Sequence, residues 1–440
     1  MQFAWASSSI PKLLGNESYV TVTKEEAKWI SNSYMIGDVV GGFFSFVIFN
    51  NISRKLSLYV SCLPVLASLV GILFANSTLV LYFARFIGGV GRNMNLVAIP
   101  MYIGEIANPE IRGALGTFTN IFINLGMICV TAITTYVSIR ASAIVGVVVA
   151  TTALALIHFV PESPYYLLMV SRKDDAKKSL QVLRQSKEVD KELDDLEVSI
   201  KKQMEQSESL VKKFSQLFTV RANLKAAFIA IFLKSLQMLT GVSVVIMHCH
   251  AIFEQATGSI SPDVSTLIYY GVMFATCFFS TSIIDKFERR TLMVISCFLT
   301  WLVLTVQGIY FYLNMHGYDL TFLTWLSIFD LIFFSVAYRI GLGTVTFIMC
   351  SEIFAVNVKV AGVALSNVAF SLSSLIANII FDYTEDSFGI HTPFWIFGGL
   401  AAVGAIFSAF VLPETKGKTL DEIQQMLASS KKRKEKNVIC

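Results

Sequence analysis

Two Pro-Glu motifs decide the fold of this chain: PESPYYLLMV at residues 161–170 and PETKGKTLDEI at residues 413–423. Each motif directly follows a long apolar run, and the two leading prolines stand 252 residues apart. Proline has no backbone N–H, so it ends one helix or begins the next where an apolar segment leaves the bilayer. The glutamate after it can accept hydrogen bonds from a helix N-terminus or from a basic side chain. The recurrence predicts two halves that end in the same way.

Outside these motifs the sequence is dominated by apolar runs. The 440 residues are 54% hydrophobic and 15% charged, with a mean hydropathy of +0.63, which is typical of a membrane protein. About 20 apolar residues span a bilayer as a helix, and long unbroken runs favour helices over the short alternating strands of a barrel. The runs predict eleven complete spans, at residues 29–49, 57–76, 79–103, 115–137, 141–160, 224–251, 264–284, 291–313, 321–350, 357–381 and 393–412. The opening MQFAWASSSIPKLL has the character of the end of a twelfth span, so we expect a truncated first helix.

The distribution of Lys and Arg predicts how the chain is inserted in the membrane. When segments 161–223 and 413–440 are placed on one side, that side holds 26 of the 35 basic residues, and the opposite loops hold 4. The side rich in Lys and Arg faces the cytoplasm in membrane proteins. The net charge of +4 therefore reflects topology and does not indicate nucleic-acid binding. Asn16 begins an Asn-Glu-Ser glycosylation sequon in a loop predicted to lie outside.

A charged segment separates six spans, counting the truncated one, from six more. Within it, KELDDLEVSIKKQ places apolar residues at intervals of three and four, which predicts amphipathic cytoplasmic helices; a solvated linker is the alternative. The fold predicted is an all-α membrane protein with two six-helix halves and a helical cytoplasmic loop between them. Its parts are an N-terminal transmembrane half at 1–160, a linker at 161–223, a C-terminal transmembrane half at 224–412 and a basic cytoplasmic tail at 413–440.

The two halves also repeat each other in their charged positions. Glu105 and Glu352 are 247 residues apart, and Arg112 and Lys359 are separated by the same 247 residues. A shared offset for two acid-base pairs indicates an internal duplication. Transporters built from such repeats hold their substrate near the bilayer midplane, between the halves.

Charged side chains within or at the edge of the apolar spans predict a network. A charge in the bilayer costs a few kcal/mol unless it is paired, so these residues should pair with one another. Such pairs can hold the halves in one conformation and break in another; static anchoring of the topology is the alternative. The residues predicted to form this gating network are Arg85, Glu105, Arg112, Glu162, Asp285, Arg289, Arg290, Glu352, Lys359 and Glu414.

Five motifs in order resemble those of the sugar porters of the major facilitator superfamily. FARFIGGVGRNMNLVAIPMYIGEIANPEIRGALGTF, at 83–118, resembles the signature of the fourth and fifth helices. The others are PESPYYLL, QMLTGVSVVIMHCHAIF, DKFERR and PETKGKTLDEI. EEAKWI and the length of the central loop are most similar to the insect facilitated trehalose transporters. The resemblance implies a monomeric carrier of the plasma membrane that moves trehalose or a hexose by alternating access.

The resemblance also implies four substrate-binding residues. Asn120, Gln237, Ser243 and Phe347 stand at positions where the family contacts its sugar. Other positions depart from the family, because the second glutamine of the seventh helix is Met238 and the three prolines of the tenth helix are absent. Each buried hydrogen bond contributes roughly 0.5–1.5 kcal/mol, so a pocket with fewer polar groups should bind a disaccharide weakly.

Asp38 is a carboxylate inside a span, which makes it a candidate for proton coupling. A position near water at the end of the span is the alternative. Two further functions stay open: a non-transporting sensor or scaffold, and a carrier of another small solute. No nucleophile-base set, phosphate loop or metal cluster stands out, and the seven cysteines form no CxxC pair. We therefore expect no enzyme activity, no cofactor and no metal.

Overall fold

The structure is a computed structural model that is almost entirely helical where it describes the chain. It describes residues 2–15, 20–49, 51–205, 210–256, 260–284, 286–320, 323–355, 358–418 and 420–428. The first half and its loops contain α1 Trp5–Leu14, α2 Lys24–Phe49, α3 Arg54–Leu73, α4 Thr78–Ile106, α5 Pro109–Tyr136 and α6 Ile139–Phe159. The central segment contains α7 Pro164–Met169, α8 Lys173–Arg184, α9 Asp190–Glu205 and α10 Leu210–Thr219. The second half contains α11 Arg221–Leu239, α12 Val242–Gln255, α13 Pro262–Ile284, α14 Arg289–Met315, α15 Thr324–Tyr338, α16 Val345–Glu352, α17 Lys359–Phe388 and α18 His391–Phe410, followed by α19 Leu420–Ala428.

In the described ranges, nine helical segments are long and apolar enough to cross a membrane. Two of them are composite: α11 continues into α12 as Arg221–Gln255, and α15 continues into α16 over Trp325–Cys350. Helices α4 and α13, with 29 and 23 residues, complete a set of eleven long segments. Long helices therefore stand at all eleven positions where spans were predicted, and nine of these segments have the length and apolar character of a membrane span. Helix α1 has 10 residues, and its side chains Trp5, Ser9 and Leu13 are buried.

The helices alternate in direction, which defines two ends of the bundle. We call the end at which α6 leaves and α11 begins the linker end, and the opposite end the far end. Helices α7 to α9 form a small layer with its own apolar core, which includes Leu168, Leu180 and Leu193. This layer contacts the bundle where Arg184 of α8 donates to the carbonyl of Ile106 at 3.1 Å.

Helices α2 and α4 lie unusually close together. A Cβ atom on Gly37 would come within 1.9 Å of the Phe86 carbonyl oxygen, and one on Gly89 within 2.0 Å of the Tyr34 carbonyl oxygen. Small residues allow such close backbone approach between helices in a membrane, where van der Waals packing drives association. Because the backbones are so near, side chains next to these glycines on the two helices can pair directly.

Two helices of the second half are interrupted near their middle. Gly241, with a φ of 86°, separates α11 from α12; its backbone is in the left-handed region that favours glycine. Arg339–Gly343 is a π-helical turn between α15 and α16, a feature that is frequent at functional sites. The hydroxyl of Ser296 accepts from the Leu342 N–H at 3.0 Å and so satisfies a backbone group of this turn. The tenth span is therefore interrupted even without the prolines.

Polar contacts join the two halves at the far end and in the middle. At the far end, Lys28 forms an ion pair with Asp386, and Asn32 donates to Asp382 at 2.8 Å. In the middle, Asn93 donates to Ser371 at 2.9 Å. The described linker-end bonds of Glu105, Glu352 and Arg184 lie within one half or join a half to the central segment. The bundle is thus held closed at the far end.

Candidate functional site

A cavity of about 480 Å³ lies between the halves. It extends from the middle of the bundle towards the linker end, where Thr119, Ile99 and Ile348 contribute to its wall. The first half contributes residues of α4 and α5, and the second half contributes both interrupted helices. The four residues expected to bind substrate, Asn120, Gln237, Ser243 and Phe347, all line it. Their contact with a solute stays a prediction.

Gln237 and Ser243 bring unused polar atoms to this wall. The Gln237 amide nitrogen donates to the Gly343 carbonyl at 3.1 Å, so it holds the π-helical turn in place. The Gln237 Oε1 atom and the Ser243 hydroxyl are buried, and neither has a hydrogen-bond partner in the structure. A buried polar atom without a partner costs free energy, so both atoms gain from a solute that supplies a partner.

Phe347 and Asn120 face the cavity in different ways. The Phe347 ring is 56% exposed, and its other face carries the ammonium of Lys234, whose Nζ lies 3.5 Å from the ring centroid. Lys234 itself is buried, between the rings of Phe347 and Phe370. Asn120 is exposed to the cavity from α5. The wall therefore offers an amide and an aromatic ring.

Asp38 is fully buried and forms an ion pair with Arg92. The Arg92 Nη1 atom donates to Asp38 Oδ1 at 2.6 Å, across the close contact of α2 with α4. Asp38 Oδ2 has no hydrogen-bond partner in the structure. Arg92 lines the cavity, so the pair connects the carboxylate to the solute space. The alternative that Asp38 lies near water at the end of its span is wrong.

Arg339 and Asn124 line the cavity but were not among the residues predicted to bind substrate. Arg339 begins the π-helical turn, lines the cavity and donates from Nη2 to Asn124 Oδ1 at 2.9 Å. This bond joins the second half to α5 of the first half. An arginine inside an apolar span is the signal that could have identified the position, because charges inside spans are rare and are usually functional.

Arg85 lies away from the predicted gating network. Its guanidinium is fully buried, packs between the rings of Trp5 and Tyr34, and donates to the backbone and side-chain oxygens of Gln2 at 2.9 and 3.1 Å. The grouping of Arg85 with the linker-end charges is therefore wrong. It lies in the first third of α4, behind the cavity wall, since its partners Gln2 and Tyr34 both line the cavity.

Comparison with known proteins identifies the chain. The family model described as "Sugar (and other) transporter" matches residues 7–427. This chain belongs to that family. A facilitated trehalose transporter Tret1 of Apis mellifera ligustica is 30% identical over 94% of this chain and 82% of its own length. Tret1 of Bombyx mori is 29% identical over 96% of this chain and 83% of its own length.

Solved structures of other proteins have the same fold as this transporter. The inward-open conformation of the xylose transporter XylE from E. coli matches with a TM-score of 0.77 at 21% identity, over 97% of this chain and 95% of that chain. The XylE proton:xylose symporter bound to 6-bromo-6-deoxy-D-glucose, of the major facilitator superfamily, matches with a TM-score of 0.76 at 21% identity, again over 97% and 95%. The major facilitator fold predicted from the motifs is confirmed.

The first Pro-Glu motif of the transporter caps a helix at the linker end. Glu162 accepts from the Lys55 N–H, in the first turn of α3, at 3.0 Å. The next residue, Ser163, donates to Glu105 at 2.6 Å, and Glu105 also forms an ion pair with Arg54 at 2.8 Å. The motif thereby ties α3 and α4 together where the chain leaves α6.

The second motif makes the same contacts in the second half. Glu414 accepts from the N–H groups of Arg289 and Arg290, in the first turn of α14, at 3.2 and 3.0 Å. Thr415 donates to Glu352 at 2.6 Å, as Ser163 does to Glu105. Burial acts to raise the pKa of Glu414, but the backbone N–H groups of Arg290, Lys416, Arg289 and Thr415 together lower the pKa below its ordinary value.

The remaining gating predictions have mixed outcomes. Glu352 and Lys359 are both described, and no ion pair joins them; Glu352 accepts from the Thr415 hydroxyl. The linker-end contacts of Glu105, Glu162 and Glu414 lie within one half each, so in this conformation they do not hold the halves together. Arg112 lies in α5, and its side chain is outside the described part of the structure, as are Asp285 and the sequon residue Asn16.

Proposed function

We propose that this protein carries a sugar, trehalose or a hexose, down its concentration gradient across the plasma membrane. The observation that supports the proposal is the cavity between the halves, closed at the far end and lined by the four residues that the family resemblance assigns to sugar binding. Rocking of the halves would close the linker end and open the far end. Because the cavity lies within one chain, we take the carrier to be a monomer that performs no catalysis.

The linker end is proposed to face the cytoplasm. The excess of Lys and Arg in the segments at this end, 26 against 4, supports this orientation. In that orientation the cavity opens inwards, as in the inward-open XylE structure that this fold matches.

Uptake by oocytes that express the chain tests the transport function. Saturable uptake of labelled trehalose or glucose, above that of water-injected cells, is the expected result. Flux no larger than in those control cells, with the protein present at the surface, would contradict the proposal.

Two buried glutamines provide a matched pair for testing the site. Gln237 and Gln307 are both buried, both donate one hydrogen bond and both keep an Oε1 atom without a partner, but only Gln237 lines the cavity. Gln237→Met should raise the KM for sugar roughly three- to tenfold, as expected for one lost hydrogen bond. Gln307→Met should leave KM unchanged. Equal effects of the two substitutions would contradict a binding role for Gln237.

Proton-coupled uptake is a second candidate, and the Asp38–Arg92 pair favours it. Protonation of the Asp38 carboxylate would release its arginine partner, which lines the cavity. This arrangement can couple proton binding to solute transport. Uptake should then rise at acidic pH, and Asp38→Asn should remove that rise. Uptake that is independent of pH and unchanged by Asp38→Asn would exclude proton coupling, and facilitated transport would be the remaining candidate.

A further inference from the structure

The charged side chains around the cavity are mostly positive. Among the described residues that line it, or that hydrogen-bond, ion-pair or stack with lining side chains, the cations are Arg85, Arg92, Lys234 and Arg339. The carboxylate in the same set is Asp38. A neutral sugar does not need such an excess, and a charge inside the bilayer costs a few kcal/mol unless it is paired.

Three of the four cations have their charge covered. Arg92 is neutralised by Asp38 at 2.6 Å. Arg85 is enclosed by Trp5, Tyr34 and Gln2, behind the wall. Lys234 is buried under the Phe347 ring.

Arg339 differs from the other three because it reaches the cavity without a carboxylate. Its described polar contact is the neutral amide oxygen of Asn124 at 2.9 Å, and its Nε atom has no hydrogen-bond partner in the structure. No Asp or Glu of the described chain lies within ion-pair distance of it, and the described lining residues include neither acid. The guanidinium is a planar fork with parallel N–H donors, which matches the two oxygens of a carboxylate.

We propose that the preferred solute is an acidic sugar, a polyhydroxylated compound whose single carboxylate pairs with Arg339. The proposal rests on the sugar transport proposed above, but it takes an acidic sugar, and not neutral trehalose or a neutral hexose, as the preferred solute. One carboxylate matches the one guanidinium that faces the cavity without an anion. Gln237 Oε1, the Ser243 hydroxyl and the Asn120 amide then meet the hydroxyl groups of the same solute.

Oocytes that express the chain test this with labelled glucuronate, glucose and trehalose. A charge-assisted bond predicts uptake of glucuronate roughly ten- to a hundredfold faster than of glucose at equal low concentrations. Uncoupled entry of one carboxylate carries negative charge inwards, so glucuronate should also evoke an outward current under voltage clamp that glucose does not. Equal uptake of glucose and glucuronate would overturn the acidic class while leaving sugar transport intact. Faster uptake of glucose 6-phosphate than of glucuronate would contradict the proposal that the acidic group of the solute is a carboxylate.

Variants of Arg339 separate binding from folding. Arg339→Gln should reduce glucuronate uptake roughly ten- to a hundredfold, reduce glucose uptake by a clearly smaller factor, and leave surface abundance unchanged. Arg339→Lys, which keeps the charge without the fork, should retain part of the preference. Arg172→Gln, an exposed arginine paired with Asp175 in the central segment, is the control and should behave as the unsubstituted chain. Loss of glucose and glucuronate uptake to the same extent in Arg339→Gln would overturn the role of Arg339.

If no solute is taken up, the proposed transport function is contradicted. The binding of glucuronate to the purified chain then tests the proposed solute class separately. Glucuronate should then raise the thermal unfolding temperature of the purified chain, and it should not do so for Arg339→Gln. An unchanged temperature for the unsubstituted chain would overturn the inference by itself.

Discussion

The linker-end clusters of the two halves match each other, whereas the two walls of the cavity do not. Ser163 donates to Glu105 and Thr415 donates to Glu352, both at 2.6 Å, and each Pro-Glu glutamate caps the helix that follows the second span of its half. On the cavity walls, Arg92 of the first half has a buried carboxylate partner, whereas the described polar partner of Arg339 of the second half is an amide. Each half needs its own contacts to hold its helices together, so the two linker-end clusters are alike. A single solute touches both walls at once, so equivalent positions on the walls need not stay alike.

The largest effect is expected on the cavity side, at the Asp38–Arg92 pair. Asp38→Ala leaves a guanidinium inside the bundle without its anion and should lower the free energy of unfolding in detergent by about 3 kcal/mol. Adding Arg92→Leu should recover most of this loss, because the second substitution removes the uncompensated charge. Equal destabilisation by the single and the double variant would show that the pair contributes no coupling.

A smaller effect should reveal how far the two linker-end clusters are equivalent. Glu105 has an ion pair with Arg54 in addition to its hydroxyl partner, whereas the described contact of Glu352 is with Thr415. Glu105→Gln should therefore cost about 2 kcal/mol and Glu352→Gln about 1 kcal/mol of unfolding free energy. Chemical denaturation of the two variants checks the order; a larger loss for Glu352→Gln would contradict the contacts.

The smallest effect is a pH dependence at the second motif. The pKa of Glu414 is lowered in the folded protein, so its ionised form contributes stability above the unfolded value of 4.5, and this contribution is lost as the pH falls through the folded pKa. Glu414→Gln should cost about 0.5 kcal/mol at neutral pH, the low end for a helix cap. Thermal unfolding measured down to acidic pH should show the two proteins converging below the ordinary pKa; a constant difference would exclude this cap.

Much of the fold could be predicted from the sequence because it depends on local patterns. Apolar runs of membrane length predicted the positions of eleven long helices, nine of which qualify as spans in the described ranges, and Pro161 and Pro413 marked where two of these helices end. The glutamates after these prolines were expected to accept from helix N-termini, and they do, at Lys55 and Arg290. The tenth span lacks its three prolines and is still interrupted, because Ser296 and Gln237 satisfy the backbone of its π-helical turn from other helices.

The cavity contained both successes and failures of sequence-based prediction. Family positions placed Asn120, Gln237, Ser243 and Phe347 on the wall, since aligned motifs preserve helix register. Arg85 was assigned to the wrong cluster because an apolar run does not reveal how deep in the bundle a charge lies. Glu352 and Lys359 were expected to belong to one charged network, but the described partner of Glu352 is Thr415, which comes from a segment 63 residues along the chain.

The sequence by itself determined the helical membrane architecture, the twofold repeat and the family, because hydropathy, proline position and motif order are properties of neighbouring residues. Only the tertiary structure decided which charges meet. Asp38 reaches Arg92 because Gly37 and Gly89 let α2 and α4 approach, and Arg339, at the start of the π-helical turn, bonds to Asn124 of the other half. Pairing between distant segments depends on how closely helices pack and on which faces they present, and no local pattern in the chain records either.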